Sequence, residues 1–167
     1  MNLKKYNFKA IEITDISVVD EKIWKDSFER ADVLFFEGGN TYHLMRWINK
    51  SGVSKVLEEL LGSRVYVGVS AGSTVTNPDL NLKLSQLIYE EDRLETEHLK
   101  GLHFVDFYIL PHLNSKSFKK FRRENIEKVV QQSNKTIYAL DDDSALKIVD
   151  DTIEVISEGE WFVISPE

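Results

Sequence analysis

The sequence predicts an α/β fold: a mostly parallel, doubly wound sheet with helices on both faces and a C-terminal antiparallel β meander. Apolar runs of strand length alternate with segments of helical periodicity. Several runs are apolar throughout, as strands covered on both faces are. Short β-rich segments then crowd the end of the chain, with a hairpin signal between them.

Lys9 to Ile13 reads as a short strand. Asp20 can cap a helix running to about Arg30, with Ile23, Trp24 and Phe28 at helical spacing. Asp32 to Phe36 is a buried strand broken by Glu37-Gly38-Gly39-Asn40. Thr41 to Asn49 is helical, with Gly52 just past its end, and Val53 to Leu61 is a further helix. Arg64 to Val67 is β-rich and enters Gly68-Val69-Ser70-Ala71-Gly72, where a helix begins. Residues 77 to 104 lack regular patterning and read as a surface excursion. Phe107 to Leu110 is a strand stopped by Pro111, Ser117 to Gln132 an amphipathic helix, and Ile137 to Leu140 a strand ending in Asp141-Asp142-Asp143. Ala145 to Val149, Thr152 to Ile156 and Trp161 to Ile164 form the meander, with Asp150-Asp151 at the hairpin turn.

A chain of 167 residues with 42% apolar content suits a single domain over 1–167. It has no cysteine, which excludes disulfides, thiolate metal sites and cysteine catalysis. A net charge of −7 argues against nucleic-acid binding, which needs a basic face. No apolar run reaches membrane-span length, and Met1 to Tyr6 leads into no leader-like apolar stretch. A cytoplasmic protein without membrane association is expected.

In an open α/β sheet the site lies at the carboxyl ends of the strands. Gly38-Gly39-Asn40, Ser70, His112 and Asp141-Asp142-Asp143 all follow predicted strands. Gly68 to Gly72 has the G-x-S-x-G pattern of a nucleophile elbow, a sharp strand-to-helix turn that exposes a serine hydroxyl. The plain alternative is a tight β-to-α turn. A serine needs a base, and a base needs an acid to hold its tautomer. His112 sits where the base is required; His43 falls within a helix, and His98 and His103 flank Gly101 in the irregular segment. The acid comes from Asp141, Asp142 or Asp143, of which Asp142 faces opposite to its neighbours by strand alternation. Oxyanion donors are expected from Ala71 N–H and from the Gly38-Gly39 turn. The dinucleotide fingerprint is absent, and the histidines lack zinc-site spacing, so no cofactor and no metal are expected.

Gly38-Gly39-Asn40-Thr41, Gly68 to Ser73, Pro111-His112 and Asp141 to Leu146 together resemble peptidase family S51, the group of aspartyl dipeptidases and cyanophycinases. The resemblance implies a fold related to class I glutamine amidotransferases, with serine replacing their cysteine. It implies Ser70 as nucleophile, His112 as base and Asp142 at the position where the family usually has glutamate. It also implies a substrate-binding arginine, which by register is Arg122 with Arg123 as competitor, and places Asn40 at the substrate. The implied partner is a small peptide, most simply a dipeptide with N-terminal aspartate.

Two features depart from the family pattern. Glu37 replaces a frequent glycine, and the βα unit that usually precedes the region opened by Lys9 is missing. The chain then reads as a truncation, a remnant or a short form that covers the gap as a homodimer. Besides a serine dipeptidase, two further readings follow: a hydrolase of the same fold acting on an ester or β-aspartyl peptide, and an inactive relative serving as a binding or assembly module.

Overall fold

The apolar run after Asp32 becomes strand β1 (Val33–Phe36), and the run before the elbow becomes β2 (Val65–Gly68). The computed structural model describes residues 5–80, 100–130 and 134–166. β1 and β2 pair with each other. Val65 N–H donates to Asp32 C=O at 3.1 Å and Val69 N–H to Phe36 C=O at 3.0 Å, so the two strands run in the same direction.

The chain divides into two compact units. One comprises Met1–Leu34 with Arg46–Val65, the other Phe35–Met45 with Tyr66–Glu167. The first contains α1 (Glu21–Arg30) and α3 (Ser54–Leu61). Trp24, Leu34, Ile48, Val53 and Leu57 are buried there. Burying each such side chain contributes about 1.5–3 kcal/mol. Helix α2 (Thr41–Lys50) ends before Gly52, whose φ of 85° makes it the turn residue expected past a helix end.

Lys9 to Ile13 is not a strand. Ile11 and Ile13 are exposed. An extended segment becomes a strand only when a neighbour takes its backbone groups. Here the segment is tied by a side chain instead: Glu12 accepts from Ser27 Oγ at 2.7 Å and from Arg30 at 3.2 Å.

In the second unit, β3 (Tyr108–Leu110) pairs in parallel with β4 (Ile137–Leu140) in the register Tyr108↔Ile137 to Leu110↔Ala139. β5 (Ser144–Val149) and β6 (Thr152–Ser157) form the antiparallel hairpin around Asp150. β7 (Trp161–Ile164) leaves that hairpin and pairs antiparallel with β4. The antiparallel strands thus sit at the C-terminal end, but β7 returns to the β3–β4 ladder, where Phe162 is buried with Tyr108, Leu110, Leu113, Phe121, Ile126, Ile137 and Ala139.

The elbow helix α4 (Ala71–Thr74) is short, and α5 (Arg123–Val130) begins later than the Ser117 start read from periodicity. Phe118 and Phe121 pack into the core from a loop, which supplies the apolar periodicity without a helix. The surface excursion expected over 77 to 104 lies mostly outside the described residues. Among the described residues no helix is long and apolar enough to cross a membrane.

Candidate active site

β2 ends at Gly68, and Ser70 takes φ 55°, ψ −117°. Side chains avoid this region, and holding a residue there costs about 1–3 kcal/mol. The next turn supplies the restraint. Ser73 and Thr74 N–H donate to Ser70 C=O at 2.9 and 3.1 Å, and Ser73 Oγ donates to Gly68 C=O at 2.9 Å. Tyr66 OH donates to Gly72 C=O at 2.7 Å, with its ring stacked on Phe36 at 5.0 Å. Burial pushes the Tyr66 phenol far above its ordinary value, so it stays a neutral donor. The flanking glycines are required by close approach. A Cβ on Gly72 would lie 2.1 Å from Phe36 O, and one on Gly68 would lie 2.4 Å from Gly72 O.

His112 follows Pro111 at the end of β3, with φ 75°. Its Nε2 lies 2.7 Å from Ser70 Oγ and its Nδ1 2.6 Å from Asp142 Oδ1. The tautomer protonated at Nδ1 satisfies both contacts: Nδ1–H donates to the carboxylate, and Ser70 Oγ–H donates to Nε2. The His112 side chain is 21% exposed and that of Asp142 59%. Phe118 stacks on the imidazole with ring centroids 4.8 Å apart.

Of the aspartate cluster, Asp142 is the member that turns to His112. Asp141 turns away and accepts hydrogen bonds from Ser144 Oγ at 2.6 Å and from Asp143 and Glu160 N–H.

Gly38 lies beside the serine, since a Cβ there would be 3.0 Å from Ser70 Cβ. Gly39 has φ 134° and open space around it. Among the described residues no acceptor takes the Ala71 N–H. Asn40 Oδ1 accepts His43 N–H at 2.8 Å and so caps α2. Arg122 likewise serves its own loop. Its Nη1 donates to Ser115, Phe118 and Phe121 C=O at 3.3, 3.2 and 2.9 Å, and its Nη2 to Ser115 C=O at 3.2 Å. The guanidinium holds the loop that lays Phe118 on His112. A buried loop carbonyl needs a donor, and a guanidinium can serve several at once. Glu37 is exposed, and among the described residues no group of His, Cys, Asp or Glu is arranged to hold a metal ion.

Sequence reading missed Asn77, which is buried at 1% exposure. Its Oδ1 accepts Ile109 N–H at 2.9 Å, and its Nδ2 donates to Ile109 C=O at 3.3 Å. The amide thereby ties the segment after α4 to the strand that carries His112. The Asn-Pro pair reads as a turn, and nothing local distinguishes it from a buried one.

The model of Peptidase family S51 matches residues 2–156. An uncharacterized peptidase of Listeria innocua is 30% identical over 125 residues, covering 70% of this chain and 59% of that protein. A peptidase E of Streptomyces coelicolor is 25% identical, covering 74% of this chain and 51% of that one. The crystal structure of a Listeria monocytogenes protein named for peptidase E superposes with a TM-score of 0.73 at 26% identity, covering 89% of this chain and 70% of that one. The chain thus spans little more than half the length of several relatives, while its elbow serine, strand-end histidine and β4-end aspartate all lie within the matched region. The chain belongs to peptidase family S51.

Proposed function

We propose that the chain is a serine peptidase that hydrolyses small peptides through an acyl-enzyme. The observation that carries this reading is the continuous relay from Asp142 through His112 to Ser70, with contacts of 2.6 and 2.7 Å. Ser70 Oγ attacks the peptide carbonyl carbon while its proton passes to His112 Nε2. Asp142 steadies the imidazolium through Nδ1–H. Ala71 N–H and the Gly38-Gly39 turn serve as donors to the tetrahedral oxyanion. His112 returns the proton to the leaving amine, the C–N bond breaks, and the acyl group stays on Ser70. Water then attacks the ester by the same proton path and releases the acid.

The substrate to test first is a dipeptide with N-terminal aspartate, as the family resemblance implies. The cysteine-free composition suits a reducing, cytoplasmic setting. One observation favours a second reading, the same chemistry on a substrate without an acidic side chain: the Arg122 fork is engaged by loop carbonyls.

The test is release of free amino acid from Asp-Leu and from neutral dipeptides, by this chain beside its Ser70→Ala variant, with mass spectrometry for an acyl adduct on Ser70. Serine-dependent turnover supports the mechanism, and the substrate preference separates the two readings. Equal turnover by both proteins removes Ser70 as nucleophile.

A further inference from the structure

We propose that Asp141 is the positioning residue of the triad acid: its carboxylate ties the turn carrying Asp142 to the turn between β6 and β7, in a space that only glycine at 159 leaves open. The proposal rests on the reading of Ser70, His112 and Asp142 as a triad.

Asp142 is largely exposed, and among the described residues its carboxylate has no hydrogen-bond partner besides His112. Its aim must come from the backbone of residues 141 to 143, and that backbone is fastened on both sides. Asp141 N–H donates to Glu160 C=O at 3.1 Å, and Glu158 N–H donates to Asp143 C=O at 3.2 Å. The Asp141 carboxylate completes the link. Oδ1 accepts Asp143 N–H at 3.1 Å and Ser144 Oγ–H at 2.6 Å, and Oδ2 accepts Glu160 N–H.

The hydroxyls behind it form a directed chain. Ser144 has one proton and gives it to Asp141, so Ser157 donates to Ser144 Oγ across 2.7 Å. Gly159 N–H in turn donates to Ser157 Oγ at 3.0 Å. Every donor in this chain points toward the Asp141 carboxylate. Burial alone would raise the Asp141 carboxyl, but the hydrogen bonds from Glu160, Ser144 and Asp143 outweigh it and hold it below its ordinary value.

Gly159 is the steric counterpart. A Cβ there would sit 2.1 Å from Asp141 Oδ2 and 2.6 Å from Oδ1. Any side chain at 159 therefore displaces the carboxylate from this position, whatever its polarity. Ser144 and Glu160 donate to the Asp141 carboxylate, Ser157 stands behind Ser144 and Gly159 leaves the carboxylate its space, and the next residue along the chain is the triad acid.

The experiment combines proton NMR of the His112 ring N–H with kinetics on the intact chain. Asp142→Asn should shift or abolish the downfield His112 Nδ1–H resonance. Asp141→Asn, which keeps the shape but places a donor among donors, should weaken that resonance and lower kcat about tenfold to a hundredfold with KM held, as misplacement of a reacting group does. Gly159→Ala should do the same by a different route, whereas Asp143→Asn, whose side chain is exposed, should do neither. In an Asp142→Ala background, Asp141→Asn should cost nothing further in kcat. If Asp142→Asn moves the resonance and Asp141→Asn and Gly159→Ala do not, the positioning proposal is overturned alone. An undiminished effect of Asp141→Asn in the Asp142→Ala background overturns it as well. If Asp142→Asn leaves the resonance unmoved, the triad reading falls and the proposal with it.

Discussion

Ser70 and His112 meet across 2.7 Å with both backbones at positive φ, 55° for the serine and 75° for the histidine. Neither residue is glycine, so each holds a conformation that its Cβ disfavours. Strain of this kind persists only where surrounding bonds over-determine it. Tyr66, Ser73 and Thr74 supply them at the serine, and Leu113 N–H, bonded to Leu140 C=O at 2.9 Å, does so just past the histidine.

Ser70→Gly should therefore be more stable than Ser70→Ala by about 1 kcal/mol, the reverse of the usual order for these residues. Both lack the hydroxyl, so the comparison isolates the backbone. Urea unfolding of the two variants measures it; alanine equal to or above glycine would show that the turn carries no strain. Both variants should lose at least about a thousandfold in kcat.

Asn77 serves the edge of β3 that among the described residues has no neighbouring strand, and its amide takes the Ile109 backbone groups there. Asn77→Ala strands the Ile109 N–H and C=O and should destabilise the protein by about 1–3 kcal/mol. Activity should fall further than the loss of folded protein accounts for, because the link between the elbow segment and the His112 strand is gone. Chemical denaturation and kcat per folded molecule check the two effects separately.

Arg122→Lys exchanges a planar fork for a single ammonium that cannot span the carbonyls of Ser115, Phe118 and Phe121. The loop should loosen and Phe118 should lose its register on His112. The expected signature is a fall in kcat for neutral and acidic peptides alike. A rise in KM confined to acidic peptides would instead assign Arg122 to substrate binding.

The pH dependence of stability follows from Asp141. Its folded-state carboxyl lies below the ordinary value of 3.8 because hydrogen bonds to the charged form outweigh burial. A group depressed on folding contributes stability that is fully present above its unfolded pKa and is lost as pH falls through the folded one. Acid titration of the unmutated chain should therefore show a loss just below pH 3.8 that Asp141→Asn lacks. Parallel acid-unfolding curves for the two proteins would remove this contribution.

Much of the fold was legible because its signals are local. The apolar runs before Glu37 and Asp141, the turn residues Gly52 and Asp150, and the G-x-S-x-G pattern each act within a few residues. The amphipathic segment after Ser117 misled about where α5 begins, since Phe118 and Phe121 keep their spacing whether they pack from a helix or from a loop tied by Arg122. Lys9 to Ile13 misled for the opposite reason: a strand exists only if a partner takes its hydrogen bonds, and a sequence window does not contain the partner.

The candidate site divides along the same line. The sequence by itself determined that a serine stands on a sharp strand-to-helix turn, that a histidine and an aspartate cluster follow strand ends, and that the serine is flanked by glycines. Tertiary structure decided which aspartate faces the imidazole, which loop carbonyls Arg122 reaches, and that Asn77 and Asp141 brace the pieces. These assignments depend on hydrogen bonds between residues far apart in the chain, such as Asn77 with Ile109 and Asp141 with Glu160. A polar side chain commits to whichever unsatisfied group the fold brings within reach, and that choice is made only when the chain has folded.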